Sequence, residues 1–114
     1  MRYLFLAYGD ERRWNALPAD ERTALESACQ AHDDVLRQKG HLIAVEAFQS
    51  SATSTVVRVQ DGQLCLSDGP WAAASTPLIA FYLISARDLN EAIRVASTMP
   101  QAHNGPIEVW PLTT

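Results

Sequence analysis

The sequence is short of several residue types that define whole classes of protein. It has only two cysteines, Cys29 and Cys65, and both stand among apolar neighbours. A disulfide framework is therefore excluded, and both side chains are expected to be reduced thiols. With five glycines and six prolines in 114 residues, the chain is neither collagen-like nor of low complexity.

No hydrophobic run is long enough to cross a membrane. The longest uncharged stretch, residues 70–86, contains three serine and threonine residues. It also falls short of the roughly 20 apolar residues that a spanning helix needs. The apolar run at residues 1–8 is followed at once by Asp10 and Glu11, which is not typical of a signal peptide. We therefore expect no membrane contact and a cytoplasmic location.

Positive charge is also scarce. Nine Lys and Arg residues stand against 13 Asp and Glu residues, and the net charge is −4. Nucleic-acid binding depends on clustered basic side chains that neutralise phosphates, so no nucleic-acid partner is expected. The sequence has neither a phosphate-binding glycine loop nor a Gly-x-Ser-x-Gly elbow, which makes nucleotide binding and serine hydrolysis weak hypotheses. No cofactor is expected.

What the sequence does have is a regular alternation of strand-like and helix-like segments. Its length predicts one domain over residues 1–114. Helices are predicted from Pro18 to Gly40 and from Asp88, as N-cap, to Pro100. Strands are predicted at Arg2–Tyr8, Leu42–Phe48, Thr53–Gln60, Gln63–Ser67, Leu78–Ser85 and Ile107–Leu112. The order β-α-β, hairpin, β-α-β predicts an α+β fold, a ferredoxin-like protomer with a β-hairpin insertion.

Two helices cover only one face of such a sheet. The strand segments are nevertheless apolar on both sides, and a bare apolar sheet face tends to be buried against a second copy of the chain. The pattern therefore predicts a homodimer.

His32 is the first residue with possible chemistry. It shares a face of the first predicted helix with Leu25, Cys29 and Leu36, so its imidazole should face the sheet. The alternative is a hydrogen-bonded structural histidine. Cys29 and His32 could supply two metal ligands, but a structural site needs four, and no metal is expected.

Asp68-Gly69-Pro70-Trp71 is the strongest local motif. One interpretation is a rigid corner in the chain, because Asp, Gly and Pro each favour turns. The other is a carboxylate and an indole placed at the mouth of a pocket. Glu46 and Glu108 lie within predicted strands among apolar residues, and either is a general-base candidate if it points inward.

Several segments together resemble one known family. These are MRYLFLAYGDE at the N-terminus, Ser67–Trp71, Phe81–Ile84, Asp88–Ala92 and Ile107–Pro111. In order and spacing they resemble YCII-related proteins, specifically the subgroup named after a DGPF tetrapeptide, with Trp71 in place of the name-giving Phe. The resemblance implies a dimeric α+β barrel of ferredoxin-like protomers. Genes of this subgroup often neighbour extracytoplasmic-function sigma factors, which implies a regulatory context.

The resemblance also implies two positions for a proposed active site. Some members carry a His–Asp pair, and one relative is a dehydrochlorinase acting on a chlorinated hydroxyhydroquinone. The His of that pair corresponds to Cys29 and its Asp to Met99, so this chain has neither residue. Glu108 matches the family's last-strand Glu, whereas Trp110 stands where an Arg is common.

Three functions remain open at this stage. The first is a small-molecule ligand bound between the first predicted helix and the sheet, near Tyr8, His32, Asp68, Trp71 and Glu108. The second is a regulatory or structural accessory protein, linked by resemblance to a sigma factor. The third, by fold analogy alone, is a lyase or monooxygenase of the dimeric-barrel type.

Overall fold

The chain is built around one four-stranded antiparallel sheet. A computed structural model describes residues 1–72 and 76–113. Its strands are β1 (Arg2–Tyr8), β2 (Leu42–Ala47), β3 (Thr55–Gln60), β4 (Gln63–Asp68), β5 (Leu78–Ser85) and β6 (Ile107–Pro111). Its α-helices are α1 (Glu11–Ala16), α2 (Ala19–Gln38) and α3 (Leu89–Thr98), with 3-10 helices at Ser51–Thr53 and Pro100–His103.

The strand order of the sheet is β2-β5-β1-β6, and every neighbouring pair is antiparallel. The two most apolar strands, β1 and β5, lie in the centre, where each has a hydrogen-bonded neighbour on both sides. This architecture confirms a mixed α+β chain with antiparallel sheets, consistent with a ferredoxin-like fold.

The two faces of the sheet differ in their cover. On the inner face, alternate residues of β1 and β5 form the core with α2 and α3. These buried residues are Tyr3, Phe5, Ala7, Ala80, Tyr82 and Ile84. On the outer face, Leu4, Leu6, Phe81 and Leu83 are only half-buried, and no helix of the described chain covers them.

Helix α3 begins as the sequence predicts. The Asp88 carboxylate accepts a hydrogen bond from the Glu91 N–H at 2.9 Å, which satisfies one of the helix's free donors. The sequence pattern predicts a buried stripe of Leu89, Ala92, Ile93 and Ala96. Ala92 and Ala96 are buried, together with Val95, whereas Leu89 and Ile93 are about half exposed, at 45% and 50%.

A short helix between β1 and α2 was not predicted. Asp10 caps α1 by accepting a hydrogen bond from the Arg12 N–H at 2.9 Å. Glu11 in the first turn and Arg13 in the last complement the helix dipole. Because α1 has only six residues, it carries no hydrophobic periodicity that could mark it in the sequence.

The β3–β4 hairpin forms a separate two-stranded sheet. Asp61 and Gly62 make its turn with φ of 51° and 76°, as the predicted Asp-Gly turn requires. Every residue of β4 is exposed. The radius of gyration is 16.0 Å, against roughly 13 Å for a compact domain of this length, which agrees with a hairpin that projects from the body.

Within the described residues, no helix is long and apolar enough to cross a membrane. The sequence predicts neither a helix nor a strand at residues 72–77, and residues 73–75 of this segment lie outside the described chain.

Candidate functional site

A cavity of about 720 Å³ lies between α2, α1 and the inner face of the sheet. Helix α2 contributes Leu25, Cys29 and Asp33, which are four residues apart and so share one side of the helix. The sheet contributes small side chains at Ala47 and Ala80, which stand opposite each other in neighbouring strands. Only Leu36, near the far end of α2, is fully buried. The middle of α2, residues 25–33, therefore lines the cavity.

Four polar groups line the inner part of this cavity: Cys29, Asp33, Tyr82 and Gln101. The Gln101 side-chain amide donates a hydrogen bond to the Tyr82 hydroxyl. Two oxygens of the group, Asp33 Oδ1 and Gln101 Oε1, are shielded from solvent and have no hydrogen-bond partner. Buried polar atoms are usually paired, so two unpaired acceptors in residues that line the cavity are unusual.

Burial shifts the titration of three of these groups in one direction. It raises the pKa of Asp33, although Arg37 and His32 oppose the rise. It also raises the pKa of Cys29, helped by the negative charges of Asp33 and Glu26. The pKa of Tyr82 is raised well above its ordinary value, first by burial and then by Asp33. The cavity therefore favours neutral acids over anions.

Helix α1 forms one wall of the cavity, and a pair of hydrogen bonds holds it there. Glu11 accepts from the Ser51 N–H at 2.9 Å and from the Ser50 hydroxyl at 3.2 Å. These contacts tie α1 to the segment that follows β2, and both Glu11 and Ser50 line the cavity.

Tyr8 and Glu108, two of the five predicted site residues, meet on the outer face of the sheet. The Tyr8 hydroxyl donates to Glu108 Oε1 at 2.6 Å, and the Trp110 indole N–H donates to the same oxygen at 3.3 Å. The bond from Tyr8 is the main cause of a lowered pKa at Glu108, and it raises the pKa of Tyr8. This cluster is solvent-exposed and does not line the cavity.

His32 makes its hydrogen bond with α3, as the alternative of a structural histidine predicts. Its Nε2 lies 3.1 Å from the Thr98 hydroxyl oxygen. That hydroxyl donates to the Val95 carbonyl, so its oxygen can accept from the ring in the tautomer that carries a proton on Nε2. The apolar stripe of α2 is wide enough to meet two elements. Its Cys29–Asp33 edge meets the cavity and its His32 edge meets α3.

Asp68 and Trp71 belong to the hairpin and its exit. Asp68 is exposed at the end of β4. The Arg58 guanidinium lies 5.1 Å from the centre of the Trp71 ring, and that ring is 73% exposed. Gly69 has a φ of 88°, and its N–H donates to the Ser54 carbonyl at 2.8 Å. These observations support the interpretation of the motif as a corner in the chain.

The structure thus joins Tyr8 with Glu108 and leaves the other three predicted residues elsewhere, and none of the five lines the cavity. Sequence reasoning missed Asp33 and Gln101. Asp33 has one usable signal, since it lies four residues after Cys29 on the same stripe. Gln101 has none, because its position depends on the 3-10 helix that follows α3. Within the described residues, no group of three His, Cys, Asp or Glu side chains converges on a metal position.

Comparison with known proteins decides the family. The model of the YCII-related domain matches residues 1–114, the whole chain. This chain belongs to the YCII-related family. A relative, "Uncharacterized protein R00369" of Rhizobium meliloti (strain 1021), is 29% identical over 114 residues, which cover 98% of this chain and 92% of the relative.

The two positions implied by the YCII-related resemblance lie in different surroundings. Cys29 lines the cavity, whereas Met99 is fully buried in the core. The position that the resemblance implies for the family's His therefore lines the cavity. Among the acids that line the cavity, Asp33 lies one helical turn beyond Cys29.

Proposed function

We propose that this YCII-related protein binds a small organic molecule in the cavity between α2 and the sheet. The observation that carries the proposal is the cavity of about 720 Å³, whose wall includes Asp33 and Gln101, each with an oxygen that has no hydrogen-bond partner. Leaving a buried acceptor without a donor costs about 1–3 kcal/mol, so this wall is held at a cost to stability, as is common at functional sites.

The size and lining of the cavity also support a ligand. Small-molecule sites usually measure about 300–1,000 Å³ and combine apolar walls with a few placed polar groups. The cavity measures about 720 Å³ and has Leu25, Val45, Phe48 and Ile79 among its apolar wall residues.

A thermal-shift screen of small organic molecules tests this proposal. Ala47 is exposed and lines the cavity, so Ala47→Trp fills space there at little cost to the core. Ala24→Trp adds the same ring at an exposed position of α2 that does not line the cavity. We expect ligands that raise the Tm of the wild type and of Ala24→Trp but not of Ala47→Trp. Equal shifts in all three proteins would contradict the proposal.

A lyase that transfers a proton is the second candidate, and Asp33 is the observation that favours it. Burial raises the pKa of the Asp33 carboxyl. A general base works best when its pKa lies near the pH of the reaction, because it must both accept and release the proton. If a ligand from the screen is converted, Asp33→Asn should abolish conversion even at ligand concentrations that saturate the variant. Conversion at the wild-type rate by that variant would remove the candidate.

We propose a homodimer in which a second copy covers the outer face of the sheet, closing a dimeric α+β barrel. Support comes from the half-buried Leu6 and Phe81 and the 54% exposed Trp110 on that face.

We also propose membership of the DGPF subgroup, on the motif Asp68–Trp71, and a cytoplasmic location. A regulatory role beside a sigma factor stays a prediction of the resemblance.

A further inference from the structure

The charges around the cavity have one predominant sign. Among the described residues that line it, four are acids and one is a base. The acids are Asp10, Glu11, Glu26 and Asp33, and the base is Arg13. A cavity with low-dielectric walls concentrates the field of such groups, so it repels anions and attracts cations.

The four acids differ in whether they already accept hydrogen bonds within the protein. Asp10 caps α1, and Glu11 is bonded to Ser50 and Ser51, so both already have donors. Asp33 is different because one of its oxygens is shielded from solvent and has no partner. Gln101 adds a second unpartnered acceptor on the same wall, and this one is uncharged. A ligand that brings hydrogen-bond donors to this wall suits both side chains.

We propose that the cavity takes an organic amine, whose protonated nitrogen donates to Asp33 while its apolar body packs against Leu25, Val45 and Ile79. This inference rests on the proposed function, since it names the class of ligand for the same cavity. A neutral alcohol also supplies a donor but no positive charge. An ammonium supplies both a donor and a positive charge, and hydrogen bonds between charged groups are roughly twice as strong as neutral ones.

The test uses two matched sets of probes. One set is tryptamine, tryptophol and indole-3-acetate, and the other is hexylamine, hexanol and hexanoate. Each set keeps one apolar body and changes the polar end from cation to neutral hydroxyl to anion. Dissociation constants are measured by NMR titration at pH 7 on the full-length protein. The variant is Asp33→Asn. The control is Asp34→Asn, which removes an exposed carboxylate that pairs with Arg37 on the surface.

We expect at least one amine to bind at least about tenfold tighter than its alcohol, and neither anion to bind. Asp33→Asn should weaken binding of that amine about tenfold or more and leave the alcohol within about threefold, whereas Asp34→Asn should match the wild type. An anion bound as tightly as its amine, or an Asp33→Asn variant that binds the amine normally, would overturn the inference.

The outcome also separates this inference from the proposed function. If no amine binds while other molecules in the thermal-shift screen do, the amine assignment is wrong and the cavity remains a ligand site. If no molecule of any charge binds in the cavity, the proposed function itself fails.

Discussion

Gln101 donates a hydrogen bond to the hydroxyl of Tyr82, which joins the 3-10 helix after α3 to the sheet at the wall of the cavity. Tyr82 is 3% exposed, so its hydroxyl has little access to water. The contact therefore fixes the position of Gln101, a residue that is close to Tyr82 only because the chain turns back after α3.

Removing that hydroxyl should destabilise the protein. Tyr82→Phe keeps the ring and leaves the Gln101 amide without its acceptor, so the free energy of unfolding should fall by about 1 kcal/mol. Urea denaturation followed by circular dichroism measures it. Tyr3→Phe is the matched control, because Tyr3 is equally buried but its hydroxyl contacts only the Met1 sulfur at 3.8 Å. An equal loss of unfolding free energy in Tyr82→Phe and Tyr3→Phe would show that the hydrogen bond from Gln101 adds no stability of its own.

Asp33 should make stability depend on pH. Its pKa is raised in the folded state, so the folded protein binds this proton more tightly than the unfolded chain does. Stability is then greatest below the pKa of the unfolded chain and falls as pH rises through the folded pKa. Asp33→Asn removes this loss, so its Tm should exceed that of the wild type at pH 7.

The advantage of Asp33→Asn should shrink at pH 4, where more of the wild-type carboxyl is protonated. Thermal denaturation at both pH values measures the difference, with Asp34→Asn as the exposed control. A lower Tm for Asp33→Asn than for the wild type at pH 7 would show that the carboxylate is paired in solution.

The contact between Tyr8 and Glu108 should be visible in the titration of Glu108. Tyr8→Phe removes the 2.6 Å hydrogen bond, so the pKa of Glu108 should rise toward its ordinary value. Trp110→Phe removes the longer 3.3 Å bond and should have a smaller effect. Carbon NMR of the Glu108 carboxyl measures both pKa values. A larger rise of the Glu108 pKa in Trp110→Phe than in Tyr8→Phe would contradict the expectation that the bond from Tyr8 is the stronger one.

The Asp68–Trp71 corner should depend on Gly69 more than on Asp68. Gly69 has a φ of 88°, where a Cβ is strained although the space around it is empty, so Gly69→Ala should cost about 1–2 kcal/mol. Asp68 is exposed, and Asp68→Ala should change stability by less than about 0.5 kcal/mol. Chemical denaturation gives both numbers. A cost for Asp68→Ala above that of Gly69→Ala would mean that the carboxylate holds the turn.

The outer face of the sheet should govern self-association. Leu6 lies on that face beside Phe81 and Glu108, so Leu6→Glu should convert a dimer to a monomer. Val57→Glu is the control, since Val57 is 62% exposed on the hairpin. Light scattering after size-exclusion chromatography reports the mass. If the Leu6→Glu variant remains a dimer, or if only the Val57→Glu variant becomes a monomer, the interface lies elsewhere.

The strands and the two longer helices could be predicted because each carries a periodic pattern or a capping signal. β5 is apolar along its whole length, and Asp88 marks the start of α3. The candidate site could not be predicted in the same way. The helical stripe identified Cys29 and His32, but only packing decides that one edge of α2 meets the cavity and the other meets Thr98. Gln101 depends on a turn without a sequence pattern.

Amide NMR spectra of the protein, recorded while a ligand from the thermal-shift screen is added, test the central claim most directly. Binding in the cavity should shift the signals of residues around Asp33, Tyr82 and the Gln101 side-chain amide, and Ala47→Trp should suppress those shifts. Shifts confined to the outer-face cluster of Tyr8, Glu108 and Trp110, or to the hairpin, would contradict the claim that the cavity between α2 and the sheet is the binding site.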